Sequence, residues 1–473
     1  MSGLRSGLSW PALAAGLLAG FVGFASSFAV VLQGLRAMGA DAAQAASGLM
    51  ALSIAMGLCG IILSAWRRMP ISVAWSTPGA ALLAASAMPE GGFPVAVGAF
   101  LMSATLLVAA GLWRPLGRAV AAIPAPLANA MLAGVLLGLC LAPMRAVAEA
   151  PAMGLAIVLA WALVGRVNRL LAVPAAVLVA GGLIAATVAL PEGILAAAGP
   201  VPVWVTPAFT WPAAVGLALP LFIVTMASQN IPGMAVLAVN GYRPAPGPLF
   251  TVTGLFSLLG APLGGHAVNL AAITAALCAS PEAQPDPARR WWAAVVAGLV
   301  YVGFGLLAGA AVAFVGAAPP VLIQAVAGLA LLGAFSGALH GALAVPAQRE
   351  AAVITFVVTA SGLSVAGVSG AFWGLLAGGA MLLLHRRRGR AGSVGADVRR
   401  LGDALPDGGS RAMVSANSAG LVQLAAAPCP ARLSRTSGVS LAAFSTAESR
   451  SRIGAGSPAG PRMLYQLSAS NSG

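Results

Sequence analysis

Within the apolar stretches of this chain, the side chains able to do chemistry are few, and they are neutral. His266 follows Gly264 and Gly265 and stands three residues before Asn269, at the start of an interrupted apolar segment, GGHAVNLAAITAA at 264–276. A comparable segment, AWSTPGAALLAA at 74–85, opens with Ser76, Thr77 and Gly79 around Pro78. A helix that begins in mid-membrane exposes unpaired N–H groups and the positive end of its dipole, which together favour an anion. Two such starts facing each other would converge on a carboxylate without a buried arginine. A histidine near neutrality can then carry a proton, which offsets the cost of taking a negative charge into a low-dielectric site; His266 is equally readable as a satisfied structural group. The run MASQNIPGM at 226–234 places Ser228, Gln229 and Asn230 in an apolar span just before Pro232. These groups either bond backbone freed by the proline or hold a ligand. Ser26 and Ser27 occupy the matching place in the first half, as ligand contacts or as packing residues.

Other chemistry is missing from the sequence. No Asp, Glu or Arg falls at mid-depth in an apolar run, and Glu350 starts a short one at its boundary. His340 and His385 sit near run ends and read as interfacial. Cysteines 59, 140, 278 and 429 have neither CxxC spacing nor histidine partners at zinc-ligand intervals, so they read as small buried hydrophobes. There is no GxxxxGK[ST] loop, no HExxH and no GxSxG. The chain is therefore expected to need no metal or cofactor and not to be an enzyme.

The elements that position these residues follow from composition. Of 473 residues, 59% are hydrophobic and only 8% charged, against about 25% charged in ordinary globular chains. A water-exposed surface cannot be built from so few ionised groups, so lipid is the main solvent. The net charge of +14 is carried by arginine, since no lysine occurs. Its scatter along the chain assembles no basic face, which excludes nucleic acid as a partner. A spanning helix needs about 20 apolar residues. Runs near 10–32, 43–64, 94–113, 125–142, 151–165, 170–190, 213–237, 248–262, 291–315, 319–343, 350–365 and 368–385 qualify. The interrupted segments at 72–88 and 264–279 are broken crossings, which brings the expected total to fourteen. With the amino terminus inside, the inner loops receive fifteen arginines, among them Arg67, Arg68, Arg114, Arg118, Arg289 and Arg290; the outer loops receive only Arg36 and Arg145. That is the positive-inside pattern. The first run outlasts a signal peptide's apolar core and is read as a span.

Residues 25–40, ASSFAVVLQGLRAMGA, and 227–242, ASQNIPGMAVLAVNGY, share an Ala-Ser start and a late glycine at an offset of 202. Each precedes a full span and then an interrupted segment. Each half thus holds seven crossings, and because seven is odd the halves enter the membrane from opposite sides. Inverted repeats with matched broken helices are a transporter signature, with the site where the breaks meet near the midplane. The fold class expected is an all-α polytopic membrane protein with fourteen segments in a seven-plus-seven inverted repeat. Its parts are a cytoplasmic amino terminus (1–9), a first repeat (10–190), a periplasmic connection (191–212), a second repeat (213–388) and a disordered cytoplasmic tail (389–473) rich in Ser, Gly, Ala and Arg.

The runs PLFIVTMASQNIPGMAVLAVNGY, APLGGHAVNLAAITAALCASPEAQPDPARRW and AWSTPGAALLA resemble the benzoate:proton symporter (BenE) family of bacterial inner membranes, over roughly residues 8–388. This family is grouped with nucleobase transporters and anion exchangers of the seven-plus-seven type. The resemblance implies proton-coupled uptake of benzoate or a related aromatic carboxylate. It implies a core domain of spans 1–4 and 8–11, an elevator-like movement against a gate domain of spans 5–7 and 12–14, and short extended lead-ins to spans 3 and 10. It places the substrate site between spans 3 and 10, facing 1 and 8, where the residues read above stand, Ser26, Ser76, Thr77, Gly79, Gln229, Asn230, His266 and Asn269, with His266 as the expected proton carrier and Phe28 and Phe335 as ring contacts or plain core. Nucleobase relatives carry carboxylates where Gln229 or Asn230 and the 266–269 stretch stand here, a departure that suits an anionic substrate; no acidic group replaces them, so the proton is carried either by His266 or by the substrate itself. A homodimer is implied by relatives alone. The alternatives are a nucleobase transporter or anion exchanger of the same fold, or a polytopic membrane enzyme, for which no nucleophile, metal cluster or acid pair is visible.

Overall fold

Pro70 and the alternating Ile71, Val73 and Trp75 suit an extended chain better than a helix, and β1 forms there, Val73–Trp75. It pairs antiparallel with β2, Val268–Leu270, with Ala74 opposite Asn269. In this computed structural model, which describes residues 9–188, 199–366, 368–384, 413–416 and 422–425, nearly everything around that pair is helical. Among the described residues, seven helices are long and apolar enough to cross a membrane: Trp10–Ala37, Ala42–Arg67, Phe93–Leu112, Ala125–Glu149, Trp211–Val239, Pro246–Leu263 and Pro320–Leu343. Pro287–Leu306 and Ala308–Ala317 form a pair bent by 57°. Shorter apolar helices run over Pro151–Val167, Ala172–Thr187 and Gly370–Leu384.

Local sequence explains where these helices start. Asp41 accepts from the N–H of Gln44 while Gln44 Oε1 accepts from the N–H of Asp41, a reciprocal cap on Ala42–Arg67. Prolines occupy the first turn of many helices, where their missing N–H costs nothing. Exposed Trp10, Trp66, Trp113 and Trp211 stand at helix ends, as amphipathic rings do at a membrane interface.

Both halves interrupt their first long helix at matching places. Trp10–Ala37 breaks at Ser26 and Ser27, between the helical pieces Trp10–Ala25 and Phe28–Ala37. Trp211–Val239 widens into a π turn at Met226–Asn230. Adding the offset of 202 to Ser26 and Ser27 lands on Ser228 and Gln229, inside that turn.

Close helix contact relies on glycine. A Cβ on Gly57 would lie 2.5 Å from the carbonyl oxygen of Gly298, and one on Gly298 would lie 2.7 Å from that of Gly57. The helices Ala42–Arg67 and Trp291–Leu306 therefore touch at their backbones. Gly57→Val is expected to lower stability by about 2 kcal/mol, read as a lower thermal midpoint of the purified protein in detergent; an unchanged midpoint would show that the crossing can open at no cost.

The chain divides into two compact units, 1–392 and 393–473. In the second, strands Met413–Ala416 and Val422–Ala425 pair antiparallel. These two strands fall within the tail expected over 389–473. Most of that tail, with Cys429, and also His385, Arg5, the last two residues of the expected first repeat (189–190) and the 191–198 part of the expected connection, lies outside the described residues.

Candidate functional site

The two strands meet where the repeats cross, and the polar side chains expected there are mostly bonded to the backbone that forms the crossing. Past β1, the Ser76 N–H donates to the carbonyl of Ala267 at 2.9 Å, extending the pair by one bond. Ser76 then caps the helix Thr77–Ala85, its Oγ accepting from the N–H of Gly79 at 3.1 Å. The same Oγ lies 2.9 Å from the Thr225 hydroxyl on the helix before the π turn. With Thr225 as donor, the proton of Ser76 is what remains to offer a ligand. Asn230, on the π turn, accepts from the N–H of Leu270 in β2 at 2.9 Å, which ties the helix Trp211–Val239 to the strand. Trp75 Nε1 donates to Ser27 Oγ at 2.8 Å, tying β1 to the break in the first helix.

The expected residues thus divide. Ser76, Gly79, Asn230 and Asn269 belong to one buried crossing, with Thr77 and Gln229 half-buried beside it. Ser26 stands apart, bonded to the carbonyl of Gly23; its neighbour Ser27 makes the contact with β1.

The expectation that His266 and Asn269 open a helix is corrected. Gly264, at φ +93°, ends a 3-10 turn, Asn269 lies within β2, and the helix that follows is Ile273–Ala279. Val268 and Leu270 fill the alternate positions of a buried strand, and this outweighs the helix-like reading of the glycines. Asn269 Nδ2 donates to the Leu270 carbonyl, and its Oδ1 is buried without a partner. His266 is 0% exposed. Its Nδ1 accepts from the N–H of Ala267, its ring meets Phe100 edge-on with centroids 6.3 Å apart, and its Nε2 is buried without a partner. With Nδ1 as acceptor, a neutral ring carries its proton on Nε2.

Of the rings expected near the substrate, Phe28 is half-buried and stacks on Phe24 at 5.5 Å, while Phe24 stacks in turn on Phe304 at 4.4 Å and leans on Trp75. Phe335 packs against the main apolar core.

A cavity of about 900 Å³ opens beside this crossing, between the helices Phe28–Ala37 and Thr77–Ala85 on one side and Ala125–Cys140, Pro320–Leu343 and Arg349–Ala360 on the other. None of the eight expected binding residues lines it. Its polar lining includes Gln33, Gln324, Thr359, Glu90 and Arg145, which sequence reasoning did not select. The available signals were two lone amides, Gln33 and Gln324, in otherwise apolar runs and one arginine on the sparsely charged side. Across the cavity, Ser369 Oγ donates to the carbonyl of Gly216 at 2.7 Å. No group of three or more metal-ligating side chains occurs among the described residues.

This architecture has counterparts. The transmembrane domain of a cyanobacterium bicarbonate transporter, BicA, superposes with a TM-score of 0.53 at 13% identity, over 78% of this chain and 98% of that one. The anion transporter SLC26A9 superposes with a TM-score of 0.55 at 13% identity, over 79% and 65%. At such identity the likeness shows the fold, the seven-plus-seven inverted repeat of those transporters. In sequence the chain is 41% identical over 375 residues to the inner membrane protein YdcO of Escherichia coli (strain K12), covering 78% of this chain and 94% of that one. It is 32% identical over 383 residues to the benzoate membrane transport protein of Acinetobacter baylyi, covering 79% and 95%. The profile of BenE, benzoate membrane transport protein, matches residues 6–384. Helices of membrane-spanning length, a strand crossing between two repeats and this match over nearly all of the first unit lead to one assignment: the chain belongs to the BenE family of membrane transport proteins, and not to a family of enzymes.

Proposed function

We propose that the protein is a secondary active transporter that takes up benzoate or a related aromatic carboxylate together with protons across a bacterial inner membrane. Fourteen crossings, with both termini cytoplasmic, form a core domain of spans 1–4 and 8–11 that moves elevator-like against a gate domain. The observation that carries this reading is the β1–β2 crossing. It brings the capped start of Thr77–Ala85, the π turn with Gln229 and Asn230, and the half-buried Phe28 into one region. Hydroxyl and amide donors beside an aromatic shelf suit a flat ring bearing a carboxylate. In this scheme the Ser369–Gly216 bond breaks whenever the core moves.

The test is uptake of radiolabelled benzoate into proteoliposomes holding the full chain, corrected for protein-free vesicles because the neutral acid crosses lipid unaided. Initial uptake is expected to be faster when the interior is alkaline and to collapse with an uncoupler. Uptake indifferent to the pH gradient but stimulated by internal unlabelled anion would favour the second reading, an exchanger, which the fold of the anion transporters supports. No uptake above the protein-free control would remove the carboxylate substrate class altogether.

A further inference from the structure

The 900 Å³ cavity has an asymmetric lining. Away from its charged residues the lining is apolar or neutral: it includes Leu139 and Leu217, the amides of Gln33 and Gln324 and the hydroxyl of Thr359. Gln33 Oε1 and Thr359 Oγ1 are buried without partners, and Thr359 is only 7% exposed. At the rim stand one cation, Arg145, and one acid, Glu90, both exposed. Arg145 forms no ion pair with a described residue, so its field is not cancelled by a fixed contact. Apart from Arg36, it is the only arginine that the charge bias leaves on the outer side.

We propose that this cavity is an outer acquisition site for the aromatic carboxylate, separate from the crossing of β1 and β2, and that Arg145 is its charge-selecting residue. The inference rests on the transport reading above. A single cation at the mouth of a low-dielectric cleft concentrates anions there. The neutral amides and the hydroxyl of the lining offer hydrogen bonds without a charge that would hold the anion and prevent its passage. Glu90, at the same rim, opposes entry, so the two substitutions must act in opposite directions.

The experiment measures initial benzoate uptake by intact cells producing the full chain, at low and at raised ionic strength. For Arg145→Gln the expected result is a KM about fivefold higher at low salt, the size of one unit charge acting through water at contact, with the maximal rate retained and the salt dependence flattened. Arg145→Lys should keep the KM near its starting value, and Glu90→Gln should lower it. In a chain with its four cysteines replaced, Arg145→Cys modified from outside by a membrane-impermeant quaternary-ammonium thiol reagent should regain the low KM, while a sulfonate reagent should raise it further. Uptake kinetics of Arg145→Gln identical to those of the starting protein, with the salt slope intact, would overturn the proposal, as would an Arg145→Cys that external reagent does not reach. Neither result touches the proposed function, which is decided by whether the unsubstituted chain takes up benzoate and whether that uptake follows the pH gradient.

Discussion

Replacing Asn230 by alanine is expected to slow benzoate uptake at sub-saturating concentration by roughly tenfold or more, the equivalent of losing a partner to a buried backbone donor at about 1–3 kcal/mol. Asn230 Oδ1 accepts the Leu270 N–H at 2.9 Å, and its Nδ2 contacts Met226 Sδ at 3.3 Å. One side chain therefore fixes the π turn Met226–Asn230 against β2. Without it, Leu270 keeps a buried N–H with no acceptor, and Gln229, one position earlier on the turn, loses its fixed placement. A closely packed neighbour limits how far the pieces can relax, since a Cβ on Gly233 would lie 2.7 Å from Leu270 Cβ. The check is uptake by reconstituted Asn230→Ala protein, alongside the thermal shift that benzoate produces in it. A variant that remains monodisperse, transports within twofold of the unsubstituted chain and keeps the full thermal shift would reduce Asn230 to a packing residue.

How far the sequence revealed this site depends on the range of the interactions involved. The matching polar residues Ser26–Ser27 and Ser228–Asn230 were visible because a serine pair and a cluster of amides are conspicuous in apolar runs related by an offset of 202, but that both places interrupt their helices was not. The β1–β2 pair was not visible from spacing. Each strand has three residues, too few to show a period of two, and the partners lie far apart in the chain. Only the family resemblance implied extended lead-ins. His266 was misplaced for a related reason: Gly264 and Gly265 before a polar residue look like a helix start, whereas Gly264 turns the chain out of a 3-10 helix at positive φ into an extended segment. Ser76 was read as a ligand contact, yet its oxygen is already engaged by Gly79 and Thr225, a competition only the folded chain displays. Gln33, Gln324 and Arg145 could be noticed one by one in the sequence, but not that they line one cavity, because its walls come from helices distant in sequence that meet only through packing.

His266→Ala is expected to abolish proton-driven accumulation of benzoate while leaving exchange of external label for internal unlabelled benzoate measurable. Electroneutral entry of one proton with one carboxylate gives about tenfold accumulation per pH unit, since each 1.4 kcal/mol is a factor of ten, so the loss is easy to read. The argument starts from position. Ala267, next in sequence, accepts the Ser76 N–H, which places His266 one residue from the crossing although its ring packs away from it, edge-on to Phe100. Its Nδ1 is engaged by the Ala267 N–H and its Nε2 has no partner. A neutral ring thus holds one proton on a nitrogen with no acceptor, a state that a rearrangement of the core or an arriving anion can change. Among the described residues it is the only histidine in this crossing, and no carboxylate stands there. Because the ring is fully buried, alanine also leaves a void, so His266→Gln serves as the second variant: it fills much of the space and cannot titrate between pH 5 and 8. Loss of accumulation in both variants, with exchange kept, assigns the proton to His266. Full accumulation in His266→Gln shows instead that the ring is structural and that the proton travels on the substrate itself, entering as the neutral acid.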